Sequence, residues 1–165
     1  MNQKLSIVTL MVLSFLSVFL MAVPEPNFSG IWTMDKDRSF SNPAGLEQAM
    51  TIVHNGDTLK LDAKLKTAQG EQVVQESWTL DGQKREVIPE GTAPGTKAKR
   101  KAYWLPGKRA IVLVDDRTSN TASGPVTQKT TRKLTLSTDG KTLTIDYYFD
   151  NARGSYEAKR VFVKT

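Results

Sequence analysis

Few residues in this chain have the side chains that reactions need. Its 165 residues contain one histidine, His54, and no cysteine. Acid–base catalysis near neutral pH most often uses histidine, and thiol nucleophiles, zinc–thiolate sites and iron–sulfur clusters all need cysteine. His54 stands beside Asn55-Gly56, a hairpin-turn dipeptide, which predicts an exposed turn residue and argues against haem ligation. The sequence holds no G-x-S-x-G, no H-E-x-x-H and no phosphate-cradling glycine loop. Asp115-Asp116 could hold a cation, but acidic pairs at a strand end are usually only solvated. Asn27-Phe28-Ser29 fits a glycosylation acceptor, which has meaning only in a eukaryotic secretory pathway. The expectation is a protein that is not an enzyme, with no catalytic residue, no metal site and no cofactor.

Residues suited to binding are easier to find. In "TKAKRKAYW" the lysines at 97, 99 and 101 must face water, which turns Ala98, Arg100, Ala102 and Trp104 inward. The face of "PVTQKTTRKLTL" opposite Lys129 and Lys133 carries Val126, Gln128, Thr130, Arg132, Leu134 and Leu136. Glu76 shares its face with Val74, Trp78 and Leu80. Small, polar and aromatic residues mixed on an inward face match the lining of a partly hydrated ligand site. The expected ligand contacts are Trp78, Arg100, Trp104, Arg132, Tyr147 and Arg160. The other reading is that Arg100, Arg132 and Glu76 pair with one another and close a small barrel.

The elements that position these residues are strands. "TLKLDAKLK" puts Leu59, Leu61, Ala63 and Leu65 on one face and charged residues on the other. The alternation predicts strands over 28–34, 49–54, 57–66, 71–80, 83–89, 96–105, 108–116, 125–137, 141–150 and 154–164, with only a possible helical turn at "PAGLEQAM". Four turns fix expected registers. "HNGD" pairs His54 with Asp57, Ile52 with Leu59 and Met50 with Leu61. "LDGQ" pairs Trp78 with Arg85 and Glu76 with Val87. "LPGK" pairs Trp104 with Arg109, Ala102 with Ile111 and Arg100 with Leu113. "TDGK" pairs Leu136 with Leu143, Leu134 with Ile145, Arg132 with Tyr147 and Thr130 with Phe149. Ten strands joined by hairpins form an all-β antiparallel up-and-down barrel, since closure removes exposed edges. One domain is expected, over 27–165.

Lys4, an apolar run from Leu5 to Ala22, and Pro24 and Pro26 beyond it predict a secretory signal peptide over 1–22. The alternative is an uncleaved anchor, because the run is near the ~18-residue lower limit for spanning a bilayer. Ser6, Thr9, Ser14 and Ser17 dilute the run and favour export. The formal charge of +6 could mean nucleic acid or anionic lipid. Export and the even spacing of the lysines point instead to a solvated surface, with no nucleic-acid partner and no stable membrane insertion after cleavage. The expected product is a secreted or periplasmic monomer.

"FSGIW" opens the first strand. Its glycine permits close backbone approach, and its tryptophan can plug one end of a barrel. With the ten-strand meander it resembles the Gly-x-Trp signature of lipocalins and fatty-acid-binding proteins, the calycin group. "EAKRVFVKT" looks like the last strand of those proteins, and "WTLDGQK" and "KLTLSTDGKTLTI" look most like small exported bacterial lipocalin-like proteins. The resemblance implies a structural motif of Gly30, Trp32 and Arg160, with Arg160 packed across Trp32 or reaching a ligand carboxylate. The chain between Trp32 and the second strand, interrupted by Pro43 and Gly45, is too short for a two-helix lid. The family's Arg-x-Tyr appears as Arg160-Val161-Phe162, without the hydroxyl.

These readings leave two functions. The first is an exported barrel that binds a small hydrophobic molecule, anionic because arginines outnumber acids inside, for transport or sequestration. The second is a structural or interaction protein of the cell envelope with a filled interior. A contiguous cavity of at least ~300 Å³ marks the first, and a packed interior marks the second.

Overall fold

The computed structural model describes residues 25–89 and 92–165, so the expected signal peptide lies outside the described residues. Ten strands follow in order: β1 (Gly30–Phe40), β2 (Glu47–Asn55), β3 (Thr58–Thr67), β4 (Gly70–Thr79), β5 (Arg85–Val87), β6 (Lys97–Trp104), β7 (Ala110–Thr121), β8 (Gly124–Leu136), β9 (Thr142–Asn151) and β10 (Gly154–Lys164). Alternation drives them. In β3, Leu59, Leu61 and Ala63 are buried while Lys60, Asp62 and Lys64 are exposed.

All the strands join one antiparallel sheet, ordered β4-β3-β2-β1-β10-β9-β8-β7-β6-β5. The first and last strands therefore lie side by side, Trp32 facing Lys164 across the ladder. The sheet curls until its edges approach, but β4 and β5 do not pair. Closure comes from the link between them: Gly82 N–H donates to Ala102 O at 2.9 Å, and Asp81 bridges to Tyr103. The barrel is shut at this end and split between β4 and β5 beyond it. The shut end is apolar, with Phe28, Trp32, Leu59, Ile111, Leu134, Leu143 and Phe162 fully buried in one cluster.

The "TDGK" register forms as expected, Arg132 facing Tyr147 and Leu136 facing Leu143. The other three differ. After "HNG", Asn55 still pairs with Thr58, and Ile52 faces Leu61 instead of Leu59. Only Gly56 takes a positive φ there (+54°), so Asn55 stays in the ladder and the turn moves along by one residue. After β6, a 3-10 turn over Pro106–Lys108 lengthens the loop, so Trp104 faces Ile111 and Arg100 faces Asp115, not Leu113. The "LDGQ" hairpin does not form. Trp78 pairs with Leu59 and Glu76 with Leu61, while β5 pairs with β6 alone. Asp81 accepts from Gln83 N–H and from the Arg85 guanidinium, which carries the chain away from β4.

Gly30 explains the start of β1. Its φ is +149°, and a Cβ there would lie 2.4 Å from Lys164 Cε. The Lys164 side chain crosses this gap and places its ammonium 5.2 Å from the centre of the Trp32 ring. Trp32 is wholly buried, and its indole N–H donates to Phe28 O at 3.0 Å.

Candidate ligand-binding site

Above the apolar end the interior becomes polar. Glu76 projects from β4 and meets Arg132 of β8, with Oε2 accepting from Nη2 at 2.6 Å. The same oxygen accepts from Trp78 Nε1 at 3.2 Å. Arg100 of β6 lies 3.7 Å from Glu76 and 3.4 Å from Asp115 of β7, and Arg117 reaches Asp115 at 3.1 Å. The guanidinium carbons of Arg100 and Arg132 sit 4.9 and 5.2 Å from the Trp78 ring centre. These charges are deeply placed: the side chains of Glu76, Arg100 and Arg132 are 8, 11 and 13% exposed.

Burial acts most strongly on Glu76 and opposes its ionisation. The charge and hydrogen bond of Arg132, with Arg100 and Trp78, outweigh it and hold the carboxyl below its usual range. Burial likewise opposes the charge on Arg132, and Glu76 overrides it upward. The pair is ionised because each member supplies what burial removes.

Arg160 of β10 forms a second centre. Its Nε donates to Asn42 Oδ1 at 2.9 Å and its Nη1 to Gln48 Oε1 at 2.7 Å, with Tyr147 Oη at 3.4 Å. Its guanidinium lies over the Tyr147 ring at 4.4 Å. All three hydrogen-bond partners are neutral, so they leave its charge uncompensated. Tyr147 in turn stacks on Phe149 at 5.6 Å and Phe149 on Tyr156 at 4.6 Å, an aromatic column leading outward to the half-exposed Tyr156.

Two cavities share Glu76, Arg132 and Tyr147 in their walls. The first, about 120 Å³, is otherwise mainly apolar: Met50, Leu61, Ala63, Leu65, Val74 and Ile145 line it, with Gln48 and Arg160. The second, about 160 Å³, is polar, with Asp115, Arg117, Gln128 and Thr130. Neither alone reaches ~300 Å³, the lower end for small-molecule pockets. Hollows of about 580 and 490 Å³ against β1–β4 are more open, among exposed residues such as Lys36, Lys60 and Lys64.

The structure brings five of the six expected contact residues to this region: Trp78, Arg100, Arg132, Tyr147 and Arg160. Trp104 is elsewhere, 5.9 Å from Phe28 and 5.6 Å from His54 at the shut end. The expected Arg160–Trp32 contact does not form, because Asn42 and Gln48 hold Arg160 over Tyr147 and Lys164 is the cation over Trp32. His54 is half-buried rather than exposed: its Nδ1 accepts from Phe28 N–H at 3.5 Å, and burial holds its pKa below the usual value. Asp115 and Asp116 do not form a cation pair. Asp115 points inward to the arginines, while Asp116 lies 3.5 Å from Lys84. Sequence reasoning took Asp115 for a solvated strand-end residue and missed Gln48 and Asn42. Alternation extended back from Met50 would have placed Gln48 inside; nothing marked Asn42.

No family model matches the chain, and no curated protein matches it in sequence. Solved structures do match in shape. Zebrafish ileal bile acid-binding protein, solved with cholic acid, is 15% identical with a TM-score of 0.52; the match covers 84% of this chain and 98% of that one. A secretory abundant heat soluble protein from Ramazzottius varieornatus is 15% identical with a TM-score of 0.50, over 83% and 94% of the two chains. The chain has the calycin-like β-barrel fold.

Proposed function

We propose that the protein is an exported carrier of a small apolar acid, held inside the barrel for transport or sequestration. The observation that carries this is Arg160: a 9%-exposed arginine with neutral hydrogen-bond partners, set in the wall of a mainly apolar cavity. A buried cation without a counter-charge is costly, and a ligand carboxylate would supply one through a charge-assisted hydrogen bond. Lys4 and the run to Ala22 support export to a secreted or periplasmic location. The bile acid bound by the zebrafish neighbour belongs to the same chemical class, an apolar body with an acid.

Isothermal titration with decanoic acid and decanol tests the reading. Arg160→Met should weaken decanoate by at least about tenfold, the worth of one charged hydrogen bond, and leave decanol nearly unchanged. Equal losses for both, or no binding of either by the wild type, would overturn it. Two observations favour a filled envelope barrel instead: neither interior cavity reaches ~300 Å³, and the Glu76–Arg132 pair lines both. The absence of binding would select that function.

A further inference from the structure

We infer that Gln48 is the residue that makes the Arg160 site select acids: it holds the guanidinium by a hydrogen bond and leaves its charge for the ligand. The inference rests on the carrier reading above and names the residue that sets its specificity.

Gln48 stands out in its own strand. The inward row of β2 is Gln48, Met50 and Ile52, all buried, and Gln48 is its one polar member, 7% exposed. A polar side chain is costly to bury without a partner. The partner here is Arg160, whose Nη1 donates to Gln48 Oε1 at 2.7 Å. The amide nitrogen of Gln48 makes no hydrogen bond to any described residue. A glutamate has the same shape and would offer the same acceptor oxygen, in a charge-assisted bond about twice as strong. Packing and hydrogen bonding therefore do not call for an amide at this position. What an amide does, and a carboxylate would not, is leave the cation unneutralised.

The other inward arginines show the contrast. Arg132 has Glu76 at 2.6 Å, and Arg100 has Glu76 at 3.7 Å and Asp115 at 3.4 Å. Each is answered by a carboxylate from another strand. Arg160 is answered by two amides and a phenol. The two amides do different work. Asn42 Nδ2 donates to Phe40 O and Lys159 O, both at 2.9 Å, which fixes the amide and turns its Oδ1 to Arg160 Nε. Asn42 needs its amide nitrogen, so it is a positioning residue. Gln48 does not need its own, so the choice of amide over acid there is a choice of charge. Gln48 and Arg160 both line the mainly apolar cavity of about 120 Å³, so the charge at position 48 acts on whatever that cavity holds.

Titration calorimetry with decanoic acid and decanol tests this on four proteins: wild type, Gln48→Glu, Arg160→Met and the double variant. Gln48→Glu should lower the ratio of decanoate to decanol affinity by at least about tenfold, the worth of one charged hydrogen bond. The double variant should have a ratio no lower than either single variant, because both changes remove the same uncompensated charge. Circular dichroism reports folding. Should Gln48→Glu not fold, Asn42→Asp carries the same expectation, since it presents a carboxylate to Nε of the same guanidinium. The single-variant comparison stands without the double. A ratio that Gln48→Glu leaves at the wild-type value, while Arg160→Met lowers it, would overturn the inference and spare the carrier reading. Losses that simply add in the double variant would also overturn it, because the acid would then act on the ligand and not through Arg160. If the wild type binds neither probe, or Arg160→Met leaves the ratio unchanged, the carrier reading fails and the role of Gln48 with it.

Discussion

Replacing Glu76 with glutamine should destabilise the barrel, and adding Arg132→Met should restore part of the loss. Glu76 is the carboxylate paired with Arg132 at 2.6 Å, whereas Arg100 also has Asp115. Glu76→Gln therefore strands one cation in particular, Arg132. Stranding one member of a buried pair costs about 3–5 kcal/mol. Arg132→Met alone should cost less, because the glutamate keeps Arg100 at 3.7 Å and the indole N–H of Trp78 at 3.2 Å. In the double variant no charge is stranded and the glutamine oxygen still accepts from Trp78. What remains is imperfect pairing of neutral groups, worth ~1–2 kcal/mol. Arg132→Met should thus stabilise the Glu76→Gln background by roughly 2 kcal/mol, although it destabilises the wild type. Urea unfolding followed by tryptophan fluorescence reads the difference. With a slope of about 1–3 kcal/mol/M, that gain moves the midpoint by roughly 1 M. A double variant less stable than Glu76→Gln alone would refute the reasoning.

The same pair sets the acid limb of stability. Because the folded-state pKa of Glu76 is lowered, its contribution is present above the unfolded value near 4.5 and is lost as pH falls through the folded value. Glu76→Gln should flatten that part of the stability–pH curve. His54 acts at milder pH: its lowered folded pKa means that the unfolded chain binds the proton first. Stability should fall as pH drops from about 6.5 towards the folded pKa, and His54→Gln should remove the dependence in urea melts at paired pH values. Gly30→Ala should cost about 1–3 kcal/mol for a non-glycine residue in that backbone region. It should also dislodge Lys164 from Trp32, visible as a change in tryptophan emission.

The face on which each side chain lies was legible in the sequence, and its partner often was not. Side chains alternate with period two, so a register displaced by two residues leaves every inward residue inward. At the β6–β7 turn, the expected facing of Arg100 with Leu113 becomes Arg100 with Asp115. Both readings put Arg100 inside. Only the second gives it a carboxylate and shows that Asp115 belongs to the site. The cause is local, a 3-10 turn in which Gly107 and Lys108 both take positive φ, and "LPGK" does not announce it. Arg160 failed differently. Its inward face was correct, but Asn42, in the loop after β1, is one of the groups that decide where its guanidinium rests. No periodicity reaches that loop.

Glu76 also matters for a reason that only the topology shows. β4 is an edge strand, and beyond the link at Gly82 no backbone ladder joins it to β5. From that edge Glu76 reaches across the interior to Arg132 on β8 and Arg100 on β6. The contact ties the free edge to the far wall and, by the same atoms, stands between the two cavities. A ligand long enough to use both must pass Arg132, and any shift of Arg132 weakens the tie. Filling the barrel and loosening the β4–β5 split are therefore linked. The link has a direction: a ligand carboxylate cannot replace Glu76 without leaving two acids to share the same arginines, whereas one on Arg160 disturbs no ion pair. That is why the proposed carboxylate is assigned to Arg160, leaving a neutral chain to pass the pair that lines both cavities.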